Sequence, residues 1–158
     1  MRYLCPSCHE VLQVESSDFG ARGTCASCSG ILTIPEDRFA PGIVIGDFVI
    51  QRVIGRGGMG DVFLAHQLTL DRTVALKVVS TEETDTDDGF ASFLREARSA
   101  ARLSHPNIVQ CYSVGQEDDL LYMAMEYVEG RSLGAILRQE GRLSVQQGSE
   151  IVRQVAGA

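Results

Sequence analysis

Along most of this chain, apolar and polar positions come in short blocks, and helical spacing appears only in its second half. From Phe48 to Ser80 three apolar-rich runs, FVIQRVIG, GDVFLAHQ and TVALKVVS, are bounded by glycine or by the turn-like LTLDR. That pattern predicts three antiparallel strands. The acidic TEETDTDDG cannot pack, and GFASFLREARSAARL after it replaces β-branched with helix-forming residues, which predicts one amphipathic helix. Beyond SHPN, the runs IVQCYSVG and LLYMAMEYV flank the polar QEDD as the arms of a hairpin. The expected fold is therefore α+β, with a five-stranded antiparallel sheet and one helix. RSLGAILRQEG then reads as a short helix. LSVQQGSEIVRQVAGA reads as the opening of a longer one running off the chain end, with Ser144 and Gln147 spaced as a capping box.

At 100° per residue, Phe90, Phe93, Leu94, Ala97, Ala100, Ala101 and Leu103 share one face of the first helix, and Arg95, Arg98 and Arg102 the other. Glu96 falls inside the apolar arc. A carboxylate on a buried face is costly unless paired, so either a cation from the facing sheet meets it or it reaches to water or a local Arg at the edge of the arc. Of 14 basic residues 13 are Arg, and Lys77 is the only Lys.

Composition narrows the function classes. The chain has 158 residues, is 44% hydrophobic, and carries a formal charge of -7 with a pI near 4.9. It can bury a core, and the acidic balance argues against polyanion binding as its main business. No apolar run reaches the 18 residues of a membrane span, and MRYLCPSC carries cysteines where a signal peptide needs an apolar stretch, so a cytoplasmic protein is expected.

Cysteine changes the picture at the N-terminal end. Cys5 and Cys8, then Cys25 and Cys28, form C-x2-C, sixteen residues, C-x2-C. That spacing sets four thiolates around a tetrahedral Zn2+, with no open coordination position and hence a structural ion. A disulfide pair would need export, and a thioredoxin-type site would use a single C-x-x-C. His9 directly follows Cys8 and could compete as a ligand, but the four cysteines already complete the set. Cys111 reads as a small buried hydrophobe. Residues 1–35 are expected to be this metal-stapled module and residues 36–47 a linker, although Ile43 to Ile45 could already dock.

The run Gly55-Arg56-Gly57-Gly58-Met59-Gly60-Asp61-Val62 contains G-x-G-x-x-G, whose glycines let backbone amides approach phosphate oxygens. A Walker A loop would need Lys and then Ser or Thr where Asp61 and Val62 stand. A Rossmann turn would need a helix where DVFLAH alternates as a strand, and an acid where Lys77 stands. A kinase glycine loop needs a strand on each side, Val two residues past the last Gly, and V-A-x-K on the next strand. Val62 and Val74-Ala75-Leu76-Lys77 supply them.

GRGGMGDVFLA, VALKVV, FLREARSAARLSHPNIV and LYMAMEYVEGRSL, in that order, give residues 48–158 a specific resemblance to the N-terminal part of bacterial-type serine/threonine protein kinases. CPSCHEVLQV and CASCSGILTIP resemble the two halves of a small zinc ribbon. The resemblance implies a kinase N-lobe, with a five-stranded sheet and a regulatory helix, followed by the first helices of a truncated C-lobe. It implies that Ile54, Val62 and Ala75 sandwich adenine, that Gly55, Gly57, Gly58 and Gly60 cover the phosphates, and that Lys77 binds the α- and β-phosphates and is held by Glu96. Met125 matches the gatekeeper, Glu126 to Val128 the hinge that reads the adenine edge by backbone groups, and Glu129 a position near the ribose. His105-Pro106-Asn107 matches a structural turn. The last helix, with Ile151, Val152 and Val155, matches one whose apolar face packs on large-lobe elements.

Neither H-R-D-x-x-x-x-N nor D-F-G occurs in the 158 residues. The family's base and Mg2+ ligands are therefore missing, Mg2+ is expected only with the absent lobe, and this chain alone is expected not to transfer phosphate. The leading reading is the ATP-binding part of a kinase that acts on protein Ser/Thr in a longer parent. A second is a non-catalytic nucleotide-binding or docking module with a zinc-ribbon interaction domain. A third, a nucleic-acid-binding ribbon, is weakened by three Arg against five acids in residues 1–40, and no nucleic-acid partner is expected.

Overall fold

The computed structural model describes residues 1–57, 60–81 and 87–158, apart from the side chains of residues 87–90, 92 and 94. Two short hairpins come first. Strand β1 (Arg2–Leu4) pairs with β2 (Val11–Gln13), and β3 (Arg22–Thr24) pairs with β4 (Ile31–Thr33). The main sheet then adds β5 (Ile43–Ile45), β6 (Phe48–Gly57), β7 (Gly60–Gln67), β8 (Arg72–Ser80), β9 (Cys111–Glu117) and β10 (Leu120–Glu126). Helices are α1 (Asp87–Ala101), α2 (Leu133–Glu140) and α3 (Val145–Ala156). Among the described residues no helix is long and apolar enough to cross a membrane.

The five expected strands are adjacent in the order β6-β7-β8-β10-β9, and every pairing is antiparallel. The sheet does not stop there. Its full order is β2-β1-β5-β6-β7-β8-β10-β9, because β5 pairs with β6 on one side and with β1 on the other. The segment read as a linker thus holds a strand whose three residues, Ile43, Val44 and Ile45, are at most 1% exposed. Three consecutive buried apolar residues mark a strand covered on both faces.

Strand alternation divides the sheet's two faces. Phe63 and Ala65 of β7, Val74, Leu76 and Val78 of β8, and Ala124 of β10 face a core that also contains Tyr3, Cys5, Val14, Cys25, Leu32 and Ile34 of the cysteine module. On the opposite face Val79, Leu121 and Met123 pack against Phe93 and Ala97 of α1. Phe90 and Leu94, placed on the helix's apolar face by its periodicity, lie outside the described side chains. Ala101 and, past the helix end, Leu103 are exposed, so the buried stripe is narrower than the wheel predicts.

Turn chemistry explains the connections. Asp71 and Asp118 take left-handed φ of 47° and 52° in the β7–β8 and β9–β10 turns, where a short polar side chain tolerates that region. Gly46, at φ 58° between β5 and β6, could not carry a Cβ without striking the Tyr122 ring. The run IVQCYSVG becomes a strand only from Cys111, since the Ile108 amide closes a turn onto His105 at 3.0 Å. Ser144 and Gln147 form the expected capping box, and α3 ends at Ala156 with Gly157 as its C-cap.

Candidate functional site

Two groups of chemically capable side chains stand on opposite sides of the sheet. In the cysteine module each C-x2-C is a tight turn built the same way. The His9 amide donates to the Cys5 carbonyl at 2.9 Å and the Ser29 amide to Cys25 at 2.8 Å. Each turn is closed at its base by Cys5 N to Glu10 O, 2.8 Å, and Cys25 N to Gly30 O, 2.9 Å. His9 and Ser29, at φ 62° and 58°, provide the left-handed step. His9 therefore shapes the backbone of its turn, and the cluster that could hold a metal consists of Cys5, Cys8, Cys25 and Cys28.

The sulfurs suit a tetrahedral ion. Cys5 Sγ lies 3.8 Å from Cys28 Sγ, Cys8 Sγ lies 3.7 Å from Cys25 Sγ, and all four sit within 4.8 Å of one another. Thiolates about 2.3 Å from a central zinc would stand about 3.8 Å apart. Amides of Cys8 and Ser7 bring the Cys5 thiol down to about 6, and those of Cys28 and Ser27 lower Cys25. At Cys8 the Glu10 amide also lowers the thiol, but burial and the neighbouring sulfurs outweigh it and push it up to about 12. Cys111 lies apart from this cluster, packed against the group formed by Val79, Phe93, Ala97, Leu121 and Met123, and burial raises its thiol.

The second group lies on the α1 side of the sheet. Register puts Val62 opposite Lys77, Leu64 opposite Ala75, Ala75 opposite Met125, and Lys77 opposite Met123. Four expected residues, Val62, Ala75, Lys77 and Met125, thus share one face of three neighbouring strands. Lys77 Nζ sits 2.9 Å from both Oε1 and Oε2 of Glu96, with 12% of the lysine side chain exposed and 48% of the glutamate. The facing cation is therefore the partner that the helix periodicity asked for. The site is nonetheless open, and Glu96 is half in water.

The glycine run forms the β6–β7 hairpin, with Gly57 paired to Gly60 and Gly55 to Val62. Gly58 and Met59 lie outside the described residues. Gly60 has φ 101°, and a Cβ there would strike the Val78 carbonyl, so only glycine fits. At Gly55 and Gly57 a Cβ would meet nothing nearer than 3.7 Å and 3.9 Å. Ile54 stands at a register shift of β6, 36% exposed, beside Gly55. Glu126 ends β10, its amide donating to the Gln110 carbonyl at 2.8 Å, while Val128 is 62% exposed beyond it.

Sequence reasoning did not single out Met123, which is 2% exposed and lies directly across from Lys77. Counting two residues back from Met125 along an alternating strand would have found it. His105-Pro106-Asn107 forms a turn, with the Asn107 amide donating to His105 Nδ1 at 3.2 Å. Asn107 Nδ2 reaches the Gln154 carbonyl at 2.9 Å and ties that turn to α3.

Comparison with known proteins bears on the same residues. The protein kinase domain family matches residues 48–158. The serine/threonine-protein kinase PrkC of Bacillus subtilis is 42% identical over 115 residues, covering 73% of this chain and 18% of PrkC. The serine/threonine-protein kinase pkn3 of Myxococcus xanthus is 41% identical over 127 residues, covering 80% of this chain and 23% of pkn3. The chain spans about a fifth of the length of these curated relatives. The crystal structure of a mutant Mycobacterium tuberculosis PknI kinase domain superposes with a TM-score of 0.65 at 32% identity, covering 75% of this chain and 49% of that one. With strands β6 to β10, the Lys77–Glu96 pair and the glycine hairpin all lying inside the matched residues, this chain belongs to the protein kinase domain family, alongside bacterial serine/threonine kinases.

Proposed function

We propose that this chain is the nucleotide-holding portion of a serine/threonine protein kinase, and that ATP lies against the sheet beside the glycine hairpin. The observation that carries this is Lys77, its Nζ held between both oxygens of Glu96 on the face shared with Val62, Ala75 and Met125. An ion pair whose carboxylate is half in water adds little net stability, so its placement is better explained by a ligand that needs an oriented cation. Gly55 and Gly57 support the reading. Internal packing does not demand glycine there, and its absence of a side chain leaves room for phosphate oxygens.

In this reading Ile54, Val62 and Ala75 grip the adenine, Met125 borders it, and the backbone from Glu126 to Val128 reads its edge. Gly55, Gly57, Gly58 and Gly60 lie over the phosphates, and Lys77 contacts the α- and β-phosphates. Cys5, Cys8, Cys25 and Cys28 hold one structural Zn2+. Transfer of the γ-phosphate to protein Ser or Thr belongs to a protein that also carries the base and Mg2+ ligands these 158 residues lack, and the chain as it stands binds without transferring. A second reading keeps the same site in a docking module that senses nucleotide without catalysis. The two share the binding site and differ in whether a longer protein phosphorylates.

Titration calorimetry of the zinc-loaded chain with ATP and Mg2+ tests the binding. Lys77→Met keeps the apolar stem and removes the charge. A lost charge-assisted hydrogen bond of about 1.5–3 kcal/mol weakens binding about 10- to 100-fold. Equal affinity of wild type and K77M, or no saturable binding by the folded wild type at millimolar ATP, overturns the assignment.

A further inference from the structure

The cysteine module does not sit beside the kinase sheet as a separate bead. Tyr3 pairs with Ile43 and Arg2 with Val44, which makes β1 a neighbour of β5 in one continuous sheet. The Leu4 amide donates to Gly42 O at 2.9 Å, and the Gly42 amide to Ile50 O at 2.8 Å. Two of the sulfur ligands, Cys5 and Cys25, each 1% exposed, belong to the same apolar core as Phe48, Phe63 and Leu76. No layer of solvent separates metal ligands from sheet.

Polar and aromatic links span the junction as well. Arg2 Nη2 donates to Glu117 Oε2 at 2.5 Å and to Gly46 O at 2.6 Å, and the Gly46 amide donates to the same Glu117 oxygen at 2.7 Å. Arg38 Nη2 lies 2.8 Å from both oxygens of Asp119. Phe39, next in sequence, stacks on Phe63 with ring centroids 5.5 Å apart. Phe63 links the two faces of the sheet, because its neighbour Val62 points to the other face and opposes Lys77.

We propose that the cysteine module is a metal-operated clamp, whose occupancy by Zn2+ sets the order of strands β5 to β8 and of the glycine hairpin between β6 and β7. Thiolate-ligated zinc supplies folding free energy directly, and two of its ligands, Cys5 and Cys25, lie inside the shared core. Release of the ion removes the cover from Phe63 and Leu76 and unpairs the outer edge of β5. The loss reaches Val62 and Gly60 along β7, the strand they share with Phe63. The proposal rests on the zinc assignment above and, for its ligand readout, on the nucleotide assignment.

Hydrogen–deuterium exchange of the full chain, with zinc bound and after removal by a zinc-selective chelator, reads the clamp. Zinc release is followed in parallel with a chromophoric indicator. At least tenfold faster exchange across residues 43–80 on release, reversed by adding Zn2+ back, is the expected result. ATP affinity should fall by a similar factor. A double variant, Arg38→Ala with Phe39→Ala, loosens the contact while leaving all four cysteines in place. It should still bind one zinc yet exchange faster over residues 60–67. Zinc released with unchanged exchange over residues 43–80 overturns the clamp and leaves the metal site standing. A chain that binds no zinc overturns both, and faster exchange in a chain that never bound ATP overturns the nucleotide assignment alone.

Discussion

The two faces of the central sheet are built to different standards. Against the cysteine module, Phe48, Ile50, Phe63, Ala65, Val74, Leu76 and Ala124 are all within 2% of full burial, and charged pairs close the margin. Against α1 the described buried residues are Val79, Leu121, Met123, Phe93 and Ala97, and beside them stand Val62, Lys77 and Met125, which keep some contact with water, and a half-exposed Glu96. Both faces are made by the same strands, residue by alternate residue. The closed face holds shape, so the other can stay open around an ion pair whose carboxylate is half in water. Stability and chemistry are thus separated by the thickness of one strand.

That separation can be broken from the closed side first. Phe63→Ala leaves a void where the ring meets Phe39 and should cost about 3–5 kcal/mol, seen as a large drop in thermal midpoint with metal and nucleotide binding lost together. A small drop would mean that the closed face is not what holds the sheet. Gly60→Ala tests the start of β7, where the chain returns from β6. Its Cβ strikes the Val78 carbonyl at a φ that side chains avoid, so about 1–3 kcal/mol is expected, with nucleotide affinity reduced more than the midpoint suggests. Unchanged affinity would remove the hairpin from the site.

The smallest effect sharpens the comparison at the margin. Partial burial alone would raise the carboxyl of Asp119, but hydrogen bonding and charge from Arg38 hold it below its ordinary 3.8. A depressed carboxyl stabilises the fold fully above that ordinary value and loses the contribution as pH falls through its lower folded value. Both side chains are about a third exposed, so screening keeps the effect below about 1 kcal/mol. Arg38→Ala should therefore lower the thermal midpoint slightly at pH 7, and the gap from wild type should close below about pH 4. A gap that widens in acid would contradict the sign.

Local pattern made much of this visible. Glycine spacing, alternation through β7 and β8, and V-A-x-K placed Lys77 on the face it occupies, and a two-residue period carries that information within a single strand. The four cysteines and the capping box at Ser144 are likewise written in short spacings. What could not be read is the union of module and sheet. RYL and IVI are too short to show a period, and their pairing joins residues about 40 apart in the chain. Nothing near Arg2 specifies Glu117. The helix wheel identified the side of α1 that Glu96 occupies but not how much protein stands over it, because periodicity describes direction and not coverage.

The Arg2–Glu117 contact, across 115 positions, has a consequence for how the chain is made. During synthesis the cysteine turns leave the ribosome long before β9, so an ion can be captured while most of the sheet is still untranslated. The strands that follow, β5 to β8, then emerge in the order in which they lie side by side, each finding a finished edge waiting. Of the strands that follow β5, β9 and β10 enter out of sequence, and the long loop closure that brings Glu117 back to Arg2 comes last. The cysteine module is in this sense a primer for sheet growth, and a nascent chain starved of zinc would begin its longest-range pairing without one.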